Sequence, residues 1–306
     1  MIELTMLGTT SGVPTRERGH SAIALKYEGE IFLFDCGENA QRQMKIADLS
    51  LVKTKAIFIT HWHADHFAGL LGLLQTMTLM ERKESLYIFG PKPAQKIIES
   101  IREIDTVAHM GHRGNLGYDL VVKEVESGNV YEGEKFVVEA IPAVHSIPAI
   151  SYKFAEKDKP GRFDIKEAKK LGLKPPQFGE LQRGNIQTVG AKTIKPSDVI
   201  GEPRPGLKIV YSGDTAYNEN LIKFAAGADL LIHEATYASD LSELSKENRH
   251  STAAEAAEIA KKAKVKKLLL THLSARYKTP KEILEEAKKT FKNSEAAMDL
   301  MKFVLK

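Results

Sequence analysis

Hydrophobic and polar positions alternate in short runs at residues 22–27, 31–35, 56–60, 86–89, 136–141, 208–211, 229–232 and 267–271, which predicts strands. Between them, residues 67–80, 92–103, 252–263 and 280–290 repeat their apolar positions at helical spacing, and Thr252 with Glu255 forms a capping box. Runs of both kinds interleave along the whole chain, so the expected class is mixed α and β, α/β or α+β. Asp35, His61, Asp214, Glu234 and His272 all fall at or close to the ends of strand runs. That placement predicts a site assembled from strand ends.

One stretch breaks the rhythm. Between about 156 and 205 the chain is punctuated by Lys159-Pro160-Gly161, Lys174-Pro175-Pro176 and Glu202-Pro203-Arg204-Pro205-Gly206, with a single short helical candidate at 164–171. Charge sharpens the boundary. Residues 153–208 carry thirteen Lys and Arg against seven Asp and Glu, a net +6, which leaves −2 for the rest of a chain whose total is +4. The reading is one domain over 1–306 with an inserted basic arm at about 153–205.

With 306 residues and 42% hydrophobic content the chain can bury a large core. Its longer apolar stretches, such as 67–74 and 56–59, are far shorter than the roughly 20 residues of a membrane helix. The opening Ile2-Glu3-Leu4-Thr5-Met6-Leu7 alternates like a strand rather than like a secretory signal, so no membrane association and a cytoplasmic location are expected. The single cysteine, Cys36, stands in an apolar context and reads as a buried small hydrophobe.

The chemistry concentrates in His61-Trp62-His63-Ala64-Asp65-His66. Imidazole nitrogens and carboxylate oxygens are good zinc ligands, and this run puts four of them on one loop. Two-residue alternation after a strand brings His61 and His63 to one side, while Asp65 and His66 continue round the turn toward a second position. Further candidates are His145, Asp214 and His272, of which Asp214 could bridge two ions. His20, His109, His112 and His233 complete no ligand spacing and are assigned surface or packing roles.

The order His-x-His-x-Asp-His followed by separated His, Asp and His resembles the metallo-β-lactamase superfamily. The resemblance implies a four-layered αββα sandwich. It also implies one ion on His61, His63 and His145, a second on Asp65, His66 and His272, and Asp214 bridging them. Flavodiiron members of that superfamily typically carry glutamate where this chain has His63, which favours a zinc hydrolase, although Mn²⁺, Co²⁺ or Fe²⁺ also suit such ligands.

Further blocks are similar to one branch, the ribonuclease Z family, which removes 3′ trailers from precursor tRNA. They are Leu7-Gly8-Thr9-Thr10-Ser11-Gly12-Val13-Pro14, Phe34-Asp35-Cys36-Gly37-Glu38-Asn39-Ala40-Gln41-Arg42-Gln43, His233-Glu234-Ala235-Thr236, His250-Ser251-Thr252 and Thr271-His272-Leu273-Ser274-Ala275-Arg276-Tyr277. Two departures stand out: Pro175-Pro176-Gln177 only partly matches the Gly-Pro motif of that family's arm, and Gly19 replaces a common asparagine.

The resemblance implies Asp65 as general base, while Glu234 orienting His250 makes a plausible proton donor for the departing oxygen. The basic arm, through Lys153, Lys157, Lys159, Arg162, Lys166, Lys169, Lys170 and Lys174, would meet backbone phosphates. In that family the arm grips the tRNA elbow and serves the neighbouring subunit of a homodimer. Two other readings use the same residues: a hydrolase of small esters or cyclic phosphodiesters, and a non-catalytic RNA-binding subunit.

Overall fold

The computed structural model describes residues 1–108 and 116–306, so His109 and His112 lie outside the described residues. The chain separates into two compact units, Met1–Ala155 with Lys208–Lys306, and Glu156–Leu207.

The larger unit holds two seven-stranded sheets. The first contains β1 (Ile2–Gly8), β2 (Ala22–Tyr27), β3 (Glu30–Phe34), β4 (Thr54–Phe58), β5 (Leu86–Gly90), β6 (Leu120–Glu124) and β16 (Lys302–Leu305), in the order β16-β1-β2-β3-β4-β5-β6. The second contains β7 (Gly128–Glu132), β8 (Phe136–Pro142), β9 (Ile150–Glu156), β12 (Lys208–Tyr211), β13 (Leu230–Glu234), β14 (Leu268–Thr271) and β15 (Ser294–Ala296), in the order β15-β14-β13-β12-β9-β8-β7.

Period-two alternation sorts each strand's side chains between two interfaces. Phe32, Phe34, Phe58 and Phe89 of the first sheet meet Tyr131, Phe136, Tyr152, Phe154 and Tyr211 of the second, as in the Phe32–Phe136 edge contact with ring centroids 5.0 Å apart. Ile31, Leu33, Ile57 and Ile88 point the other way. They bury against α1 (Ala40–Ile46), α3 (Leu70–Leu79) and α4 (Ala94–Ala108). On the far side, Val210, Leu231, Leu268 and Leu270 pack with α7 (Glu219–Phe224), α9 (Ala253–Ala263) and α10 (Lys281–Thr290). Helix, sheet, sheet, helix is the four-layered sandwich that the sequence implied. Thr252 caps α9 through the expected box with Glu255.

The stretch 67–80 is not one helix. It splits into α2 (Ala64–Phe67) and α3, with Gly69 between them, where an added Cβ would come within 2.3 Å of the Gly37 carbonyl. That split gives Asp65 and His66 a helical turn of their own. Cys36 is fully buried, and burial followed by the adjacent Asp35 charge pushes its thiol up to about 12, so it is inert at neutral pH.

The smaller unit has its own core of Ala168, Leu173, Leu181, Ile194 and Val199. It carries α5 (Ile165–Lys170), capped by Asp164, α6 (Pro175–Gln182) and the hairpin β10 (Gln187–Val189) with β11 (Lys192–Ile194). The two prolines read as loop punctuation occupy the first turn of α6, where a missing N–H costs nothing. Lys153 does not belong to this unit. It sits on β9, ion-paired with Glu139 at 2.7 Å and 4.4 Å from the Phe224 ring centroid, and its assignment to the arm is corrected here. Without Lys153 and Lys208 the unit counts eleven basic and seven acidic residues, a net +4. Two more members of the cationic set have carboxylate partners, Lys159 with Glu156 and the exposed Lys170 with Glu167, each at 2.8 Å.

Candidate metal centre

Strands β3, β4 and β5 run parallel to one another, as do β12, β13 and β14. Crevices outside the carboxyl ends of parallel strands are where open α/β sheets place their ligands. The loop after β4 brings His61 to His66, the turn after β12 brings Asp214, β13 ends on Glu234 and β14 is followed by His272. His145 arrives on the loop between β8 and β9, and His250 on the segment between α8 (Ser242–Asn248) and α9.

All seven candidate ligands meet. His61 Nε2 lies 3.0 Å from His63 Nδ1, which lies 3.2 Å from His145 Nε2. His66 Nε2 lies 3.2 Å from His272 Nε2 and 3.6 Å from Asp65 Oδ2. Asp214 Oδ2 stands between the two groups, 3.6 Å from His61, 3.4 Å from His66 and 3.3 Å from His272.

What makes this a cation site is the set of bonds on the far side of each ring. Thr60 Oγ1 donates to Asp35, so it accepts from His61 Nδ1 at 3.1 Å. Thr236 Oγ1 donates to Glu234, so it accepts from His272 Nδ1 at 2.9 Å. His66 Nδ1 donates to Asp35 Oδ2 at 2.7 Å, and His145 Nδ1 donates to the Arg249 carbonyl at 3.1 Å. With the outer nitrogens protonated, the inner ones present lone pairs to one another. Asp214 Oδ1 is buried with no hydrogen-bond partner among the described residues. Converging lone pairs and an orphaned carboxylate oxygen are resolved by a metal ion.

The electrostatics agree. Burial opposes charge on His66, yet Asp214 and Asp35 outweigh it and raise the ring well above its ordinary value, so the surrounding carboxylates favour positive charge at this point. Burial, reinforced by His66, holds His61 well below the usual imidazole range. Burial alone would raise Asp65 and Asp214. The surrounding His272 and His66 reverse this and hold both carboxyls below the usual range.

Beside the cluster, Glu234 Oε1 accepts from His250 Nδ1 at 2.8 Å and from the Thr215 amide at 2.9 Å. Burial disfavours the His250 imidazolium, but the Glu234 charge and hydrogen bond prevail and push the ring up to about 9. His250, His63, Asp65, Asp214 and His272 open into one cavity of about 620 Å³, rimmed by Ser11, Gly12, Tyr237 and Arg276.

From sequence, Asp35 stands only at a strand end and within a family-like block, and Thr60, Tyr211 and Thr236 have no site role. Asp35 takes a left-handed φ of 60° and accepts from the Thr60 amide, the Thr60 hydroxyl, the Tyr211 hydroxyl and His66. A strained backbone around a buried carboxylate marks a built site. His20 and His233 take part in packing: His20 lies against Gly37, and His233 is fully buried with Nδ1 donating to the Glu234 carbonyl.

Two opposed seven-stranded sheets with an imidazole and carboxylate cluster at their strand ends define a metallohydrolase of the β-lactamase superfamily. A family model described as a β-lactamase superfamily domain matches residues 190–273, and one described as anti-Pycsar protein Apyc1 matches residues 2–159. Human tRNase Z, short form, superposes with a TM-score of 0.72 at 29% identity, covering 99% of this chain and 98% of that one. The proteins named ribonuclease Z from Methanothermobacter thermautotrophicus and Methanosarcina acetivorans are 47% and 43% identical over 98% of this chain and 96% and 97% of theirs. That from Nitrosopumilus maritimus is 42% identical over the full length of both. The chain belongs to the ribonuclease Z family.

Proposed function

We propose that the chain is a zinc-dependent endoribonuclease that cuts precursor tRNA on the 3′ side, releasing the trailer and leaving a 3′-hydroxyl on the tRNA. The carrying observation is His250, held by the buried Glu234, opening into the same cavity as the proposed ligand cluster. A ribose oxygen is a poor leaving group and needs a proton donor, which a hydrolase of activated esters does not.

His61, His63 and His145 would hold one ion, Asp65, His66 and His272 a second, and Asp214 reaches both groups. When bound, such ions stabilise charge on the scissile phosphate and lower the pKa of the attacking water from about 15.7 toward about 7. Zinc suits the nitrogen-rich donor set, and Mn²⁺, Co²⁺ or Fe²⁺ are chemically admissible.

The chain's own residues do the rest. The Gly12 amide donates to Asp65 Oδ2 at 2.8 Å and orients the carboxylate as the acceptor of the water's proton. Glu234 fixes His250 through Nδ1, so Nε2 carries the proton for the departing oxygen. Pairing into a homodimer and a cytoplasmic setting belong to the same reading.

The test is to incubate purified protein with a tRNA carrying a 3′ trailer, with and without chelator, and to map the ends. A chelator-sensitive cut beside the discriminator base is expected. Cleavage of a small cyclic phosphodiester or ester with no cut in the tRNA would overturn the proposal.

The unit Glu156–Leu207 is proposed as the tRNA-binding arm. Lys166, Lys169 and Lys170 share one face of α5, with Lys157, Arg162 and Lys174 also exposed to solvent. Ala155 and Lys208 are register partners on β9 and β12, so residues 157–206 can be replaced by a short glycine-containing turn. This deletion is expected to weaken precursor tRNA binding about a hundredfold and flatten its salt dependence. Hydrolysis of a small phosphodiester should be unchanged.

A further inference from the structure

Arg249 stands between the proposed metal ligands and the proton donor, and no role above accounts for it. Its φ of 55° is left-handed, an uncommon conformation for a residue with a side chain, at the C-terminus of α8. That turn aims two groups at one target. The Arg249 carbonyl accepts from His145 Nδ1 at 3.1 Å, and the guanidinium returns Nη1–H to the His145 carbonyl at 2.9 Å.

We infer that Arg249 is a positioning residue that locks His145 in the tautomer with Nε2 turned to the metal centre and ties that ligand to the proton donor. The inference rests on the metal-site reading above. A carbonyl can only accept, so the first bond fixes the proton on Nδ1 and bares Nε2, which lies 3.2 Å from His63 Nδ1. The second bond pins the backbone that carries the ring.

His250 follows directly, and Ser251 Oγ donates to the Thr215 carbonyl at 2.6 Å. Thr215 Oγ1 in turn accepts from the Val144 N–H at 3.0 Å, and the Thr215 amide donates to Glu234. The loop of His145 is therefore fastened to the donor segment on both sides, through Arg249 and through Thr215. A shift of one carries the other, so metal affinity and proton delivery are coupled through this turn.

The experiment compares Arg249→Gly with Arg249→Lys. Glycine accepts the left-handed turn and keeps the carbonyl while removing the guanidinium. Lysine keeps a cationic donor. Zinc affinity is read by competition with a chromophoric chelator, and kcat and KM are measured separately on precursor tRNA and on a small phosphodiester. Arg249→Gly is expected to lower zinc affinity about 10-fold, the low end of an outer-shell loss, because the backbone of His145 is freed while the carbonyl that sets its tautomer is retained. It should reduce kcat on both substrates at unchanged KM, with Arg249→Lys recovering part of each.

Wild-type zinc affinity in Arg249→Gly would overturn the inference, as would a defect confined to KM for precursor tRNA, which would make the guanidinium an RNA contact. Wild-type protein that takes up no metal would instead remove the metal-site reading, and this inference with it.

Discussion

Replacing His250 with alanine is expected to lower kcat on precursor tRNA by about 10²- to 10⁴-fold, the usual worth of a positioned proton donor. Metal content should be unchanged, because His250 is not among the seven proposed ligands. The same variant should hydrolyse a phosphodiester whose leaving group departs as a stable anion at close to the wild-type rate. That contrast isolates proton transfer from binding. Equal losses on the two substrates would assign His250 a different task.

The pH dependence carries the same logic with a definite sign. Burial works against the His250 imidazolium, and Glu234 raises the ring from 6.5 to about 9, so the donor stays protonated through neutral pH and is lost as pH rises through its own value. Glu234→Gln removes the opposing charge and leaves the burial. The ring then falls back toward the ordinary imidazole range, so at pH 8 much less of it carries a proton, and the two enzymes draw together as pH falls. Cations at the neighbouring ligands lower both profiles together, so the separation between the curves is the quantity to measure. Superimposable basic limbs would sink the pairing of Glu234 with His250.

The residues of this cluster stand out in the chain because most of them follow strands in sequence. The runs 22–27 and 208–211 match β2 and β12 end to end, and alternation through β3 separates Phe32 and Phe34 from Ile31 and Leu33 without any knowledge of the partner sheet. The bonds behind the ligands could not be read in this way. Asp35 and His66 are 31 positions apart, Thr236 and His272 are 36 apart, and His145 and Arg249 are 104 apart. Such pairs are created by folding, and neither member carries a local signal of its partner. The local pairs are Glu234 with Thr236, two positions apart, and Thr60 with the adjacent His61. Lys153 shows the converse error. Charge counted along a window cannot distinguish an arm lysine from a strand lysine already paired across the sheet with Glu139.

Replacing His63 with alanine tests the centre most directly. His63 is partly exposed, whereas His61 and His66 are fully buried, so its side chain can be removed without opening a core cavity. The apo protein should keep its thermal midpoint. What should be lost is the stabilisation on adding zinc, about 2.7 kcal/mol for the wild type at a hundredfold excess over Kd. Cleavage of precursor tRNA should fall by about four orders of magnitude, since one site loses a third of its imidazoles and with them its hold on the ion that activates water. Asp35→Asn offers the graded comparison. It leaves every proposed ligand in place, removes the charge that orients His66 from behind at 2.7 Å and turns an amide N–H₂ toward the groups that donate to Asp35, so a loss of 10- to 100-fold in metal affinity is expected, recoverable with added zinc. The His63 variant cannot recover fully at any zinc concentration, because the missing ligand also shapes the geometry presented to the phosphate. A His63→Ala protein that cleaves at the wild-type rate would disprove the ligand assignment, and with it the division of the cluster into His61, His63 and His145 on one side and Asp65, His66 and His272 on the other.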